Sequence, residues 1–291
     1  MKIPFGKTIA YAYSFTFGQL GTIIGLCWLP LVLMAVLQFL PYAFGGNPMA
    51  SPENATAEGR QGLENLVSSL LMLLLYSIMY VPVTRQALGL RQGSALVHFA
   101  LGPPEFRVFG ALLLFFLVIM AIAMGIGVLV LLLGGLTALT GKNPIVAIAG
   151  ALAVIAASLG FIYAVVRLAF LIVPVTVAEG HISLIRGWLL ARGNFWRIFG
   201  VMLAVLLPIY LLHVIGLIVI AGPGLVAPLP ADTAAAEQAL RARFLLVGQH
   251  MPAYLGLTLI LAPFNIGLGI GASAFAYRAL VPPNSASATV A

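Results

Sequence analysis

NFWRIFG, residues 194–200, has two echoes earlier in the chain: SFTFGQLG at 14–21 and PEFRVFG at 104–110. Each places an aromatic residue shortly before a Phe-Gly pair and then runs into a long apolar stretch. The pairs are Phe17-Gly18, Phe109-Gly110 and Phe199-Gly200, spaced by 92 and 90 residues.

The apolar stretch after each phrase sets the class of protein. Of 291 residues, 62% are hydrophobic and only 7% charged, with a mean hydropathy of +1.13. Soluble domains carry roughly 25% charged residues, so this composition cannot cover a water-facing surface. The chain is solvated by lipid. Six apolar runs lie near 20–40, 63–84, 107–133, 145–176, 197–221 and 252–279. Each matches or exceeds the roughly 20 residues a helix needs to cross a bilayer. The first run follows Lys2, Pro4 and Lys7, is long enough to span, and has no small-residue cleavage site. It therefore reads as a retained transmembrane helix, not a signal peptide. The single cysteine, Cys27, lies inside that run. This excludes an intrachain disulfide and a multi-cysteine metal site.

Charge sets the orientation. With the N-terminus in the cytoplasm, the inner segments carry Lys2, Lys7, Arg85, Arg91, Arg107, Arg167, Arg186, Arg192, Arg197 and Arg278. The outer side carries Arg60, Lys142, Arg241 and Arg243, a split of 10 to 4. Positive residues stay inside, so both termini are expected in the cytoplasm of a bacterial inner membrane. The net charge of +7 is then topological. The arginines flank apolar spans and face anionic lipid head groups, which argues against nucleic-acid binding.

Each phrase sits on the inner side before an odd-numbered span. Before each lies a stretch neither fully apolar nor loop-like: KIPFGKTIAYAYS, RQGSALVHFALGPPE and GHISLIRGWLLARGN. In the third, Ile182, Ile185, Trp188 and Leu189 recur at helical spacing beside His181, Arg186 and Arg192, the pattern of a helix lying in the interface. The Phe-Gly is expected to mark the turn into the membrane, its glycine letting the backbone turn or pack closely. VPVT at 81–84 returns at 173–176. The fold expected is all-α: six transmembrane helices with cytoplasmic interfacial helices, in three tandem units at 1–91, 92–179 and 180–281. Units with an even number of spans are parallel repeats about an axis along the membrane normal.

The outer loops differ. Residues 45–62 read as a flexible loop containing an Asn-Ala-Thr sequon at 54–56. Residues 231–247 suggest a short external helix capped by Asp232, with Leu240, Phe244 and Val247 along one stripe. The tail at 282–291 is expected to be disordered.

Motifs for covalent chemistry are missing: no HExxH, P-loop, GxSxG or CxxC occurs, and the four histidines are scattered. No enzyme activity, metal or cofactor is expected. Gly267, Gly269 and Gly271, and the Gly21-x-x-x-Gly25 pair, read as helix-packing positions. Polar groups at membrane depth are the remaining pointers. Arg167 is either a buried cation meeting a ligand or an arginine snorkelling to the interface. His213 and Asn265 also fall within spans.

Residues 163–203, YAVVRLAFLIVPVTVAEGHISLIRGWLLARGNFWRIFGVML, resemble the membrane domain found with some glycerophosphoryl diester phosphodiesterases and related bacterial membrane proteins. The resemblance rests on Arg167, Pro174, Glu179, Arg186, Trp188, Gly193, Asn194, Trp196 and Arg197, with Pro263, Tyr277 and Arg278 later. Gly187 stands where that family has Ser, and the soluble phosphodiesterase barrel is missing. The resemblance implies a membrane-embedded accessory or lipid-related role and does not imply hydrolysis. Candidates for ligand or lipid head-group contact are Arg167, Glu179, Arg186, Trp188, Arg192, Asn194, Trp196 and Arg197. His213 and Asn265 are the intramembrane polar candidates. The expected function is a non-enzymatic protein that handles lipids or organises membrane partners. The alternative is a small-solute or lipid transporter. A water-accessible cavity reaching Arg167 would favour the transporter, and a tightly packed bundle the first reading.

Overall fold

The structure, a computed structural model, describes residues 1–43, 55–91, 99–140 and 143–281. Within them the chain forms helices and no strands: α1 (Phe5–Gly18), α2 (Leu20–Ala43), α3 (Ala55–Ala87), α4 (Pro103–Leu139), α5 (Pro144–Glu179), α6 (Leu184–Leu190), α7 (Phe195–Ala221), α8 (Thr233–Gln249) and α9 (Met251–Leu280). A short 3-10 turn, Pro223–Val226, follows α7. Six helices are long and apolar enough to cross a membrane: Leu20–Leu40, Gly62–Ala87, Pro103–Leu139, Pro144–Glu179, Phe195–Ala221 and Met251–Leu280. These are the six expected spans, and the chain is a multi-pass membrane protein.

Local chemistry sets the helix ends. Asn143 accepts the Ile145 N–H ahead of Pro144 at the first turn of α5. Asp232 caps α8 by accepting the Ala235 N–H at 2.9 Å, as its sequence suggested. The Glu105 carboxylate reaches back to the Gly102 N–H at 3.0 Å. Gly180, at φ 69°, ends α5 in a left-handed turn that a side chain would strain. The loop expected at 45–62 is shorter than its composition suggests. α3 begins at Ala55, inside that stretch, because residues 55–61 continue the helix outward. The sequon's Asn54, the tail 282–291 and His98 lie outside the described residues.

α9 is the central helix, touching α1, α2, α3, α5 and α7. Its glycines explain how α1 lies. A Cβ on Gly271 would come within 3.0 Å of Phe15 and 3.3 Å of the Ala12 backbone, and one on Gly267 within 2.9 Å of Thr16 and Ile23. Ring contacts continue the track, with Tyr11 against Phe275 at 4.9 Å and Phe17 against Phe264 at 5.9 Å. α1 therefore runs antiparallel along α9 instead of lying across the end of the bundle. Thr8, Ala12 and Thr16 are its buried stripe.

The Phe-Gly pairs also differ from the turn reading. Gly18 does end α1, but Gly110 and Gly200 sit inside the second turn of α4 and α7. There the missing side chain admits a neighbour: Ile182 at 2.9 Å from a Gly110 Cβ, and Phe5 at 2.8 Å from a Gly200 Cβ. The stretches before the spans are unequal too, a 14-residue α1 against a 7-residue α6. Val81 and Val173, from the two VPVT copies, meet in one cluster with Val108, Ala111 and Ile172.

Buried residues concentrate where α1, α6 and the start of α7 meet the ends of α3, α5 and α9. By contrast, the C-terminal half of α4 and the N-terminal half of α5 bury little and display Met124, Val128, Leu131, Leu139, Ile145 and Ile155. α4, with 37 residues, is about 55 Å long at about 1.5 Å per residue. That exceeds a hydrocarbon core of roughly 30 Å, so this hairpin tilts or projects beyond the bilayer.

Candidate functional site: an interhelical slot and an arginine clamp

Two polar arrangements stand out, on different faces of α5. The first is a cavity of about 420 Å³ between α2, α3, α5, α7 and α9. Its wall follows α9 from Leu255 to Ser273, about 27 Å at a rise of about 1.5 Å per residue, so the cavity is a slot. Most of the lining is aliphatic, including Leu31, Met34, Val205, Leu206, Leu259 and Ile266. The polar members are Gln38, Tyr76, Tyr80, His213, Thr258, Asn265 and Ser273. None of the lining residues is Asp, Glu, Lys or Arg. The slot thus brings together His213 and Asn265, predicted separately from sequence. Gly269 also lines it, with nothing within 4 Å of a methyl placed on its Cα, unlike Gly267 and Gly271 on the packed face.

The polar groups are not equally committed. Thr258 donates to the Tyr254 carbonyl at 3.0 Å and Ser273 to the Ile270 carbonyl at 3.1 Å. His213 Nδ1 lies 3.0 Å from the Ile209 carbonyl oxygen. The rings of Tyr76 and Tyr80, one helical turn apart on α3, lie 5.6 Å from each other. These two tyrosines were missed from sequence as a pair, although their i, i+4 spacing puts them on one helix face.

The second arrangement holds Arg167, which is 5% exposed. Its Nη1 donates to the Tyr163 hydroxyl at 2.8 Å and its Nη2 to the Trp188 carbonyl at 2.6 Å. The guanidinium lies 3.8 Å from the centre of the Trp188 ring and 5.3 Å from that of Tyr163. Phe195 closes the cage, 4.7 Å from the Tyr163 ring. No carboxylate is within 4.0 Å of Arg167 among the described residues. Cation–π contact and two oxygens offset its desolvation. The side chain does not snorkel to water, and it does not line the slot, because α5 turns Ala169, Phe170 and Val173 there instead.

The other candidates frame α6. Glu179 accepts from Arg186 Nε at 3.1 Å and the Tyr277 hydroxyl at 3.3 Å, with His181 at 3.7 Å. Asn194, 2% exposed, accepts the Ile3 N–H at 3.0 Å and donates to the Met1 carbonyl at 3.2 Å. Arg197 donates to the Ile3 carbonyl at 2.8 Å. Asn194 and Arg197 therefore hold the chain's first residues. Arg192 and Trp196 point outward, Trp196 being 78% exposed. A scan against protein-family models finds no match, and searches of the curated proteins and of the solved structures find no significant one.

Proposed function

We propose that this multi-pass protein is a lipid-handling protein that holds an apolar molecule in the slot between α2, α3, α5, α7 and α9. One observation carries the reading: an elongated, mainly aliphatic cavity with a few polar groups and no Asp, Glu, Lys or Arg on its wall. Ligand sites commonly pair a concave apolar lining with a small number of placed polar groups, in cavities of about 300–1,000 Å³. The volume and the length along α9 suit a hydrocarbon chain better than a compact ion. A binding role without covalent chemistry fits the wall, whose lining holds no carboxylate to orient its one histidine.

The alternative, a transporter built on Arg167, His213 and Asn265, is weaker because Arg167 is bound to α6 on another face. The resemblance of residues 163–203 to the phosphodiesterase-associated membrane domain supports a lipid-related role. We place the protein in a bacterial inner membrane with both termini cytoplasmic, and Lys2, Lys7, Arg192 and Trp196, all exposed, at anionic head groups.

Lipid extraction from the purified protein tests the reading. Wild type and Arg167→Met retain a bound apolar species above the bulk lipid background. Gly269→Trp, which fills the slot, loses it. Identical lipid profiles in wild type and Gly269→Trp would overturn the proposal.

A further inference from the structure

The wall chemistry narrows the occupant. No ionic side chain lines the slot, and an ion at membrane depth without a partner is strongly disfavoured. The head of the ligand is therefore uncharged. Thr258 and Ser273 already donate to their own helix. His213 Nδ1 faces the Ile209 carbonyl oxygen, so a proton on that nitrogen is directed to its own helix and not into the slot. The uncommitted donors are the hydroxyls of Tyr76 and Tyr80 and the amides of Gln38 and Asn265. None of the four has a side-chain hydrogen-bond partner among the described residues, although all line the slot; Gln38 is on α2, and the other three are on α3 and α9. Two phenols one turn apart on α3 and a side-chain amide on α9 present O–H and N–H donors to a mainly aliphatic cavity. The complementary group is an acceptor that brings no charge and needs no acidic or basic partner.

Resting on the slot being a lipid site, we propose that it selects an uncharged lipid carrying a carbonyl oxygen, with that oxygen at Tyr76, Tyr80 and Asn265 and the hydrocarbon along α9. The ester of a diacylglycerol and the ring carbonyl of a quinone share this chemistry. A plain hydrocarbon leaves the donors unsatisfied. A carboxylate brings an uncompensated charge.

The purified full chain is titrated with dioctanoylglycerol, a decyl quinone, decane and decanoate (its carboxylate ionised), with bound mass read by native mass spectrometry. Either carbonyl lipid is expected to bind at least roughly tenfold tighter than both decane and decanoate, since sites built to hydrogen-bond a group reject analogues lacking it. Which of the two binds better identifies the source of the carbonyl. Tyr76→Phe combined with Tyr80→Phe keeps both rings and is expected to reduce carbonyl-lipid binding to the level of decane. Asn265→Leu, made separately, is expected to weaken it several-fold. Equal binding of decane, tight binding of decanoate, or no effect of both sets of substitutions would overturn the selectivity while leaving a lipid slot. If no probe binds, the slot reading fails as well.

Discussion

Two side chains, Asn194 and Arg197, anchor the first residues of the chain. Asn194 takes both the Ile3 N–H and the Met1 carbonyl, and Arg197 takes the Ile3 carbonyl. Ile3 is fully buried as a result. Asn194→Ala leaves a buried backbone N–H without its acceptor, a loss of about 1–3 kcal/mol. The expected outcome is a lower melting temperature in detergent, and an unchanged one would mean the tether is dispensable. Arg167 is the other decisive residue. Its charge within an apolar run was legible in sequence, but its partner was not. Trp188 lies 21 residues later and reaches Arg167 only because the chain reverses after Gly180, at positive φ, ends α5.

Elements record the same limit at a larger scale. The spans were readable because lipid demands long apolar helices, and α8 because Asp232 announces its start. The position of α1 was not readable: KIPFGKTIAYAYS has the amphipathic character of an interfacial helix, and only the paired glycines of α9 show where it packs. Gly271→Val puts carbon atoms against the Ala12 backbone and is expected to destabilise by about 1–3 kcal/mol. Gly269→Val, two residues away on the slot face, is expected to change stability little. Unfolding in mixed micelles separates them, and equal effects would contradict the packing. The Arg167 clamp predicts a local change as well. Arg167→Met loses a cation–π contact of about 0.5–2 kcal/mol and its hydrogen bond to the Trp188 carbonyl. Amide exchange should then rise in 184–190 and stay constant in α9.

For the whole molecule, the slot needs five helices to be assembled, so no single stretch of sequence announced it. His213 and Asn265 were identified one by one as polar groups in spans, yet that they line one cavity depends on how α7 and α9 pack. Orientation is a whole-molecule property too. In a Cys27→Ser background, an impermeant maleimide applied to intact spheroplasts should label Asp232→Cys and leave Lys2→Cys unmodified. The reverse pattern would invert the topology.

A density map of the protein in nanodiscs of its native lipids would show whether the slot is occupied. Continuous elongated density is expected beside α9 between Leu255 and Ser273, with its polar end near Tyr76 and Asn265. Side chains of α2, α7 and α9 closed together, leaving no room along that path, would contradict a lipid slot.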